Sequence, residues 1–337
     1  MTKSPKKSHQ PPSRSMSKQD EILEDQNRYF ANYGKKKLSK WELMSLFLWN
    51  PETKAVMGRT GSSWSKIGLF YLIFYAMLAA LIAICMWVFL QTLNPRIPKW
   101  QLDQSIIGTN PGLGFRPMPD NMESTLIWFQ GTNKSNYQPW VNKLNNFLET
   151  YYTPSKIAKG SGQIKPCSHS DFPRENEVCE VDVRQWGKCN KDDSYDYQRS
   201  SPCIFLKLNR IYGWTPEYYM ENDELPKEMP KQLKEHILNI TIPNQRRNVW
   251  ISCQGENPAD REYIGSLTYY PKNFQGFPGY YFPYLNKEGY LSPLVAVRFE
   301  RAQPGVVINV ECRAWAKNIK YSRGDRIGSV HFELLID

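Results

Sequence analysis

Residues 67–90 read IGLFYLIFYAMLAALIAICMWVFL, a run without a charge, bounded by Lys66 on one side and Arg96 on the other. A helix rising ~1.5 Å per residue crosses a ~30 Å hydrocarbon core in roughly 20 residues, so this stretch is long enough to span a bilayer with some tilt. Tyr71 and Tyr75 near its start and Trp87 near its end suit the two headgroup levels. Residues 1–66 hold no short apolar run of the cleaved-signal type, so the span is expected to act as an uncleaved signal anchor. It divides the chain into an N-terminal tail (1–66), a transmembrane helix (67–90), a stalk (91–125) and a C-terminal domain (126–337).

Charge and cysteines orient the span. Of the net charge of +10, the tail carries +7, from 13 Lys and Arg against 6 Asp and Glu. Such a tail suits an anionic cytoplasmic leaflet better than nucleic acid, and no nucleic-acid partner is expected. Cys85 lies in the span, where a thiol acts as a small apolar side chain. The other six cysteines, at 167, 179, 189, 203, 253 and 312, all follow it, as do the sequons at Asn133 and Asn239. An even number of cysteines in one compartment points to disulfides in an oxidising lumen. The expected topology is therefore type II, with the N-terminus cytoplasmic, the C-terminus extracellular, and the lipid bilayer as one partner.

Six cysteines allow fifteen pairings. Closing short loops first favours Cys167–Cys179 and Cys189–Cys203, which leaves Cys253–Cys312. Strand alternation supports that last pair: Val249, Ile251 and Cys253 share one face of their run, and Val306, Ile308, Val310, Cys312 and Ala314 share one face of theirs. A zinc site is the rival, but there is no CxxC, and the 4 histidines are scattered.

Residues 1–37 are polar and rich in Lys, Ser and Pro, and are expected to be disordered. In residues 38–49, Trp41, Met44 and Leu48 recur at helical spacing beside Phe47, which predicts a short helix lying along the inner membrane surface. Residues 91–125 carry five prolines and three glycines, the composition of an extended stalk. A helix is expected over 135–152, with Tyr137, Val141, Leu144, Leu148 and Tyr151 on one face. Residues 160–203 look loop-like, and 215–247 form a charged insertion with one short helix. Strands are expected at 203–208, 249–253, 263–270, 294–300, 306–315 and 327–336. Short strands, turn signals and a core disulfide predict a mainly-β, immunoglobulin-like sandwich with one packed helix.

Catalytic signatures are missing: no GxSxG, P-loop, HExxH or GxGxxG occurs. Asp192-Asp193 and Glu180-Val181-Asp182 come nearest to the Asp-x-Asp pair of a glycosyltransferase, and neither fits it. No enzyme activity, cofactor or metal is expected. Two stretches suit protein binding instead. Tyr71 and Tyr75 are followed by Ala76, Ala79, Ala80 and Ala83, and small residues let helices approach closely in lipid; interfacial anchoring by the tyrosines is the other reading. Residues 269–290 hold nine aromatics, against about three expected at the 14% average of the chain. Burying all of them in a segment broken by Pro278, Gly279 and Pro283 is hard, so a partner is expected to cover several.

The chain resembles the β subunits of the Na,K-ATPase and H,K-ATPase family. Gly58-Arg59-Thr60-Gly61, Phe70-Tyr71 and Phe74-Tyr75 carry the likeness, with Ser135-Asn136-Tyr137, Pro202-Cys203-Ile204, Lys207-Leu208-Asn209-Arg210 and Gly213-Trp214. It continues through Tyr281-Phe282-Pro283-Tyr284, residues 290–294 and residues 309–312, and so covers nearly everything from about residue 31 onward. Leu285-Asn286 stands where the family usually has Tyr-Gly, the first disulfide loop is shorter, and a few residues are missing between Lys287 and Tyr290. The Asp-Lys-Thr-Gly at which the catalytic subunit of such a pump is phosphorylated is absent.

The resemblance implies sequential disulfide pairing and a non-catalytic role at the plasma membrane. It also implies a catalytic α subunit as partner, whose folding, delivery and potassium affinity depend on this chain. With it, Phe70, Tyr71, Phe74 and Tyr75 become the expected helix-contact residues, and Tyr281, Phe282, Tyr284 and Tyr290 the expected extracellular contacts. A free-standing single-pass adhesion glycoprotein, with homophilic contacts through its ectodomain, is the alternative.

Overall fold

The computed structural model describes residue 28 and residues 40–51, 53–121, 123–154 and 163–337. The expectation for residues 1–37 falls almost wholly outside them. The chain forms two compact units, Met1–Thr92 and Leu93–Asp337.

In the first unit, helix α1 (Lys40–Leu48) leads into three two-residue strands, β1 (Trp49–Asn50), β2 (Ala55–Val56) and β3 (Arg59–Thr60), which pair in sequence as an antiparallel sheet. Helix α2 (Gly61–Gln91) starts directly after β3 and runs 31 residues, longer at its N-terminal end than the uncharged run. It is long and apolar enough to cross a membrane, and none of its residues is buried. Its C-terminal end is closed by Thr92, whose hydroxyl donates to the Phe89 carbonyl at 2.7 Å.

The second unit contains strands β4 (Leu113–Arg116) and β5 (Leu126–Phe129), helix α3 (Lys134–Tyr152), and strands β6 (Gln163–Lys165), β7 (Glu177–Cys179) and β8 (Cys203–Leu208). Helix α4 (Lys231–Leu238), strand β9 (Asn248–Gly255) and helix α5 (Pro258–Tyr263) follow. Strands β10 (Ser266–Tyr270), β11 (Gly276–Pro278), β12 (Leu294–Glu300), β13 (Val307–Trp315) and β14 (Ser329–Ile336) complete it. Four strands pair in the order β10-β12-β8-β4 and five in the order β11-β9-β13-β14-β5, while β6 and β7 form a small parallel pair.

The two larger sheets face each other. Leu206 of β8 lies opposite Phe115 of β4 and Val295 of β12. Phe115 and Phe299 from the four-stranded sheet meet Phe332 of β14 at 5.0 and 5.9 Å between ring centres. Residues of alternate parity on β8 point the other way. Cys203 bonds Cys189, and Phe205 packs against Trp186 and Tyr195. Helix α3 buries Tyr137, Val141, Leu144, Leu148 and Tyr151 into the same core.

Several expectations need correction. The stretch expected as an extended stalk contributes a strand to the domain, because Leu113–Arg116 pairs with β8 at the edge of the four-stranded sheet. Two apolar side chains between glycines and prolines are too few to show a period. The strand expected from 263 begins only at Ser266, since residues 258–263 form α5, started by a reciprocal Asn257–Asp260 capping box. The loop-like stretch 160–203 contains β6 and β7. The charged insertion builds a second, smaller core: Tyr219, Met229, Leu233 and Ile237 pack over Trp250 and Trp315, so β9 and β13 are buried on both faces.

Disulfides join Cys167–Cys179, Cys189–Cys203 and Cys253–Cys312. Cys253 and Cys312 are direct cross-strand neighbours on β9 and β13. Cys85 is a free, exposed thiol on α2.

Candidate partner-binding surfaces

The first surface lies on α2. Phe70 and Phe74, one turn apart, stack at 6.2 Å, and Tyr71 and Tyr75 stack at 6.0 Å. The two columns meet edge to face at 5.5 Å, through Phe70–Tyr71 and Phe74–Tyr75. The i, i+4 spacing aligns each column along the helix, and adjacency in sequence sets the columns side by side. The result is a four-ring block, each ring between 49% and 62% exposed. Ala76, Ala79, Ala80 and Ala83 follow it and are also exposed, so a second helix can approach their backbone closely.

The second surface is built around residues 279–292, and here the nine aromatics divide. Tyr270, Phe277 and Tyr280 are buried core residues. Tyr269 reaches across to β9, where its hydroxyl accepts from the Cys253 backbone N–H at 2.8 Å. Tyr281 is also largely used by the domain itself. Its ring packs on Tyr280 and its hydroxyl donates to the Glu180 carbonyl at 2.8 Å. Burial pushes its phenol well above the usual range and keeps it a neutral donor. Phe282 packs edge-on against Trp214 at 5.6 Å. Tyr281 and Phe282, both expected as partner contacts, are thus partly buried against the main core of the domain itself.

Tyr284 and Tyr290 have a different setting. Their rings pack at 5.0 Å, and the Arg210 guanidinium lies 5.3 Å from each ring centre. Arg210 is held by donating from Nε to the Ser292 hydroxyl at 2.7 Å, and the Ser292 carbonyl accepts from the Tyr151 hydroxyl of α3 at 3.1 Å. Burial pushes the Tyr151 phenol up to about 12, opposed by the nearby Arg210 charge. Arg210 was not among the expected contacts, although the Lys207–Arg210 run had marked it.

Leu285-Asn286 joins this surface to the segment that enters the unit. Tyr284 donates to the Asn286 side-chain oxygen at 2.9 Å, and the Asn286 amide donates to the Arg96 carbonyl at 3.2 Å. Arg96 itself pairs with Glu288 at 3.0 Å. Asn286 has φ +52°, a left-handed conformation that asparagine tolerates. Beside the loop lies a cleft of about 290 Å³, lined in part by Phe172, Arg174, Glu177, Leu285 and Lys287. Its lining combines both charge signs with apolar side chains.

The remaining expected positions lie apart from these surfaces. Asn133 is exposed and caps α3, accepting from the Ser135 N–H at 3.1 Å. Asn239 is exposed at the end of α4. The acids nearest to a metal-binding pair are engaged with bases: Asp182 with Arg184 at 2.8 Å, and Asp193 with Lys188 at 3.0 Å.

Comparison with known proteins adds to this geometry. The sodium/potassium ATPase beta chain family matches residues 34–332. The sodium/potassium-transporting ATPase subunit beta-2 of Drosophila melanogaster is 54% identical over 303 residues, covering 88% of this chain and 93% of that protein. Subunit beta-1 of the same organism is 44% identical, covering 89% and 94%. Human subunit beta-2 is 34% identical over 308 residues, covering 86% and 93%.

Proposed function

Since the chain belongs to the sodium/potassium ATPase beta chain family, we propose that it is the non-catalytic β subunit of a P-type sodium/potassium pump. On this reading α2 crosses the plasma membrane once, with the N-terminus cytoplasmic. The two-sheet unit is an extracellular immunoglobulin-like domain, glycosylated at Asn133 and Asn239. The six paired cysteines and both sequons lie in the unit that would face the oxidising side.

The partner is the catalytic α subunit, a polytopic chain with helix and loop surface left to cover. The observation that carries the reading is the four-ring block on α2, a helix with no buried residue of its own. In lipid, helices associate through packing and interhelical hydrogen bonds, and a stacked aromatic ridge with two hydroxyls, continued one turn beyond Tyr75 by the small Ala79, offers both. Tyr284, Tyr290 and the adjoining cleft supply the extracellular contact. By covering these surfaces the chain stabilises the folded α subunit, supports its exit to the cell surface, and tunes the extracellular side where potassium binds.

Purification in mild detergent tests this. The wild-type chain should carry a polytopic P-type ATPase with it, identified by mass spectrometry. Tyr71→Ala with Tyr75→Ala should lose about 1–2 kcal/mol of helix association, roughly a ten-fold drop in recovered partner. Glycosylation, which reports insertion, should stay normal. Recovery of the chain with only copies of itself would favour the adhesion glycoprotein instead.

A further inference from the structure

The region leading into α2 exposes an unusual amount of apolar surface. Trp41, Met44, Phe47, Leu48, Trp49, Val56 and Met57 before the helix, and Trp64 in its first turn, are all exposed. The register of β1–β3 explains part of this. Trp49, Val56 and Arg59 are cross-strand neighbours and form one row, while Asn50, Ala55 and Thr60 form the row of opposite parity. Asn50 and Ala55 are buried and Thr60 half-buried, so the sheet has an inner face and an open one. On α1, Trp41, Met44 and Leu48 at i, i+3 and i+7 form an equally open stripe. A sheet of two-residue strands is marginal by itself, and an open apolar face needs a cover.

We propose that α1 and the β1–β3 sheet form a surface anchor that seats on the anionic lipid headgroups at the N-terminal end of α2. The inference rests on reading α2 as a bilayer span. Three observations select lipid as the occupant. The sheet is continuous with the span: β3 ends at Thr60, α2 begins at Gly61, and Trp64 of the first helical turn donates from Nε1 to the Val56 carbonyl at 2.9 Å. Six helical residues lie between β3 and the start of the apolar run, a rise of about 9 Å, while a headgroup layer is about 5–8 Å deep. The sheet therefore sits at headgroup level or just outside it. Finally, the chemistry fits that layer: the tryptophans, Lys40, Lys54, Arg59 and Lys66 are exposed, and the sequence of residues 40–66 holds only Glu42 and Glu52 as acids.

The test uses the full-length chain with Cys85→Ser, reconstituted in nanodiscs of phosphatidylcholine with or without phosphatidylserine. A polarity-sensitive fluorophore is placed at Met44→Cys, Val56→Cys or Leu78→Cys. Labels at 44 and 56 should be quenched by lipids spin-labelled near the headgroup. They should be several-fold less accessible to the neutral quencher acrylamide in phosphatidylserine discs than in phosphatidylcholine alone. Lys54→Glu with Arg59→Glu should abolish that difference. Labels at 44 and 56 that stay open to acrylamide in both discs would overturn the anchor. Shielding that appears only when the catalytic subunit is co-reconstituted would also overturn it, in favour of a protein contact. The label at 78 keeps the two readings apart: quenching by a deep acyl-chain spin label upholds the span whatever positions 44 and 56 do, and its failure removes the span itself.

Discussion

Replacing Cys253 and Cys312 together by serine is expected to leave the second unit misfolded and the chain held in the endoplasmic reticulum. The two cysteines face each other across β9 and β13, in the middle of the five-stranded sheet, and close the longest of the three loops, with a separation of 59 residues. Loop-closure entropy alone assigns the bond about 4 kcal/mol. Serine adds a second cost, because Cys312 is fully buried and Cys253 is 7% exposed. A hydroxyl left without a partner there costs about 1–3 kcal/mol. Together these remove a large share of a typical total of about 5–15 kcal/mol. The half-exposed Cys167 and its partner Cys179 close a loop with a separation of only 12, worth about 3 kcal/mol, and their loss should be milder. Glycan maturation and surface labelling check both; normal delivery of the Cys253/Cys312 variant would refute the staple.

The second large effect is expected at Asp196. This carboxylate is fully buried in the turn Ser194–Arg199, where Ser194, Tyr195 and Asp196 all have left-handed φ, at +52°, +50° and +61°. Such residues cost of order 1–3 kcal/mol each and persist only when packing imposes them. Tyr195 and Tyr197 are fully buried, the Cys189–Cys203 bond flanks the turn, and Asp196 accepts from Arg298 Nε of β12 at 2.7 Å. Arg298→Met removes the main partner of a buried charge and should cost about 3–5 kcal/mol. Asp196→Asn with Arg298→Met should be less damaging than Arg298→Met alone, because asparagine tolerates the backbone and carries no charge to strand. Denaturant unfolding of the purified chain, followed by tryptophan fluorescence, measures both. Equal midpoints for the single and double variants would show that the ion pair is not what holds the turn.

The strands that were legible in the sequence are those with long apolar runs. All six residues of β8 except Lys207 are buried, and β12 and β13 each carry an unbroken inward row. Helix α3 showed itself through five residues at helical spacing, all of them buried. What stayed hidden had too few residues to carry a period, as in β1–β3, or took its meaning from distant partners. Leu113–Arg116 is a strand only because β8 lies beside it. Helix α5 had a readable signal in the Asn257–Asp260 box, masked by the aromatic and β-branched residues that follow it. The same limit applies to the binding surfaces. The α2 block is local, so its spacing reveals it. Tyr281 hydrogen-bonds a carbonyl 101 residues away, and Arg210 joins Tyr284 and Tyr290 from another part of the chain. Neither relation is written in any short stretch.

Photocrosslinking from α2 asks whether the aromatic block touches the catalytic subunit. A photoreactive amino acid replaces Tyr75 in one chain and Ile73 in another, and both are expressed in cells with the pump's catalytic subunit. The two positions lie about 200° apart around a helix of 3.6 residues per turn, and position 73 lies about 130° from the middle of the four-ring block. An adduct with the catalytic subunit is expected from position 75, and only lipid adducts from position 73. Lipid adducts alone from both positions would mean that the aromatic block anchors the helix in the bilayer and does not hold a partner.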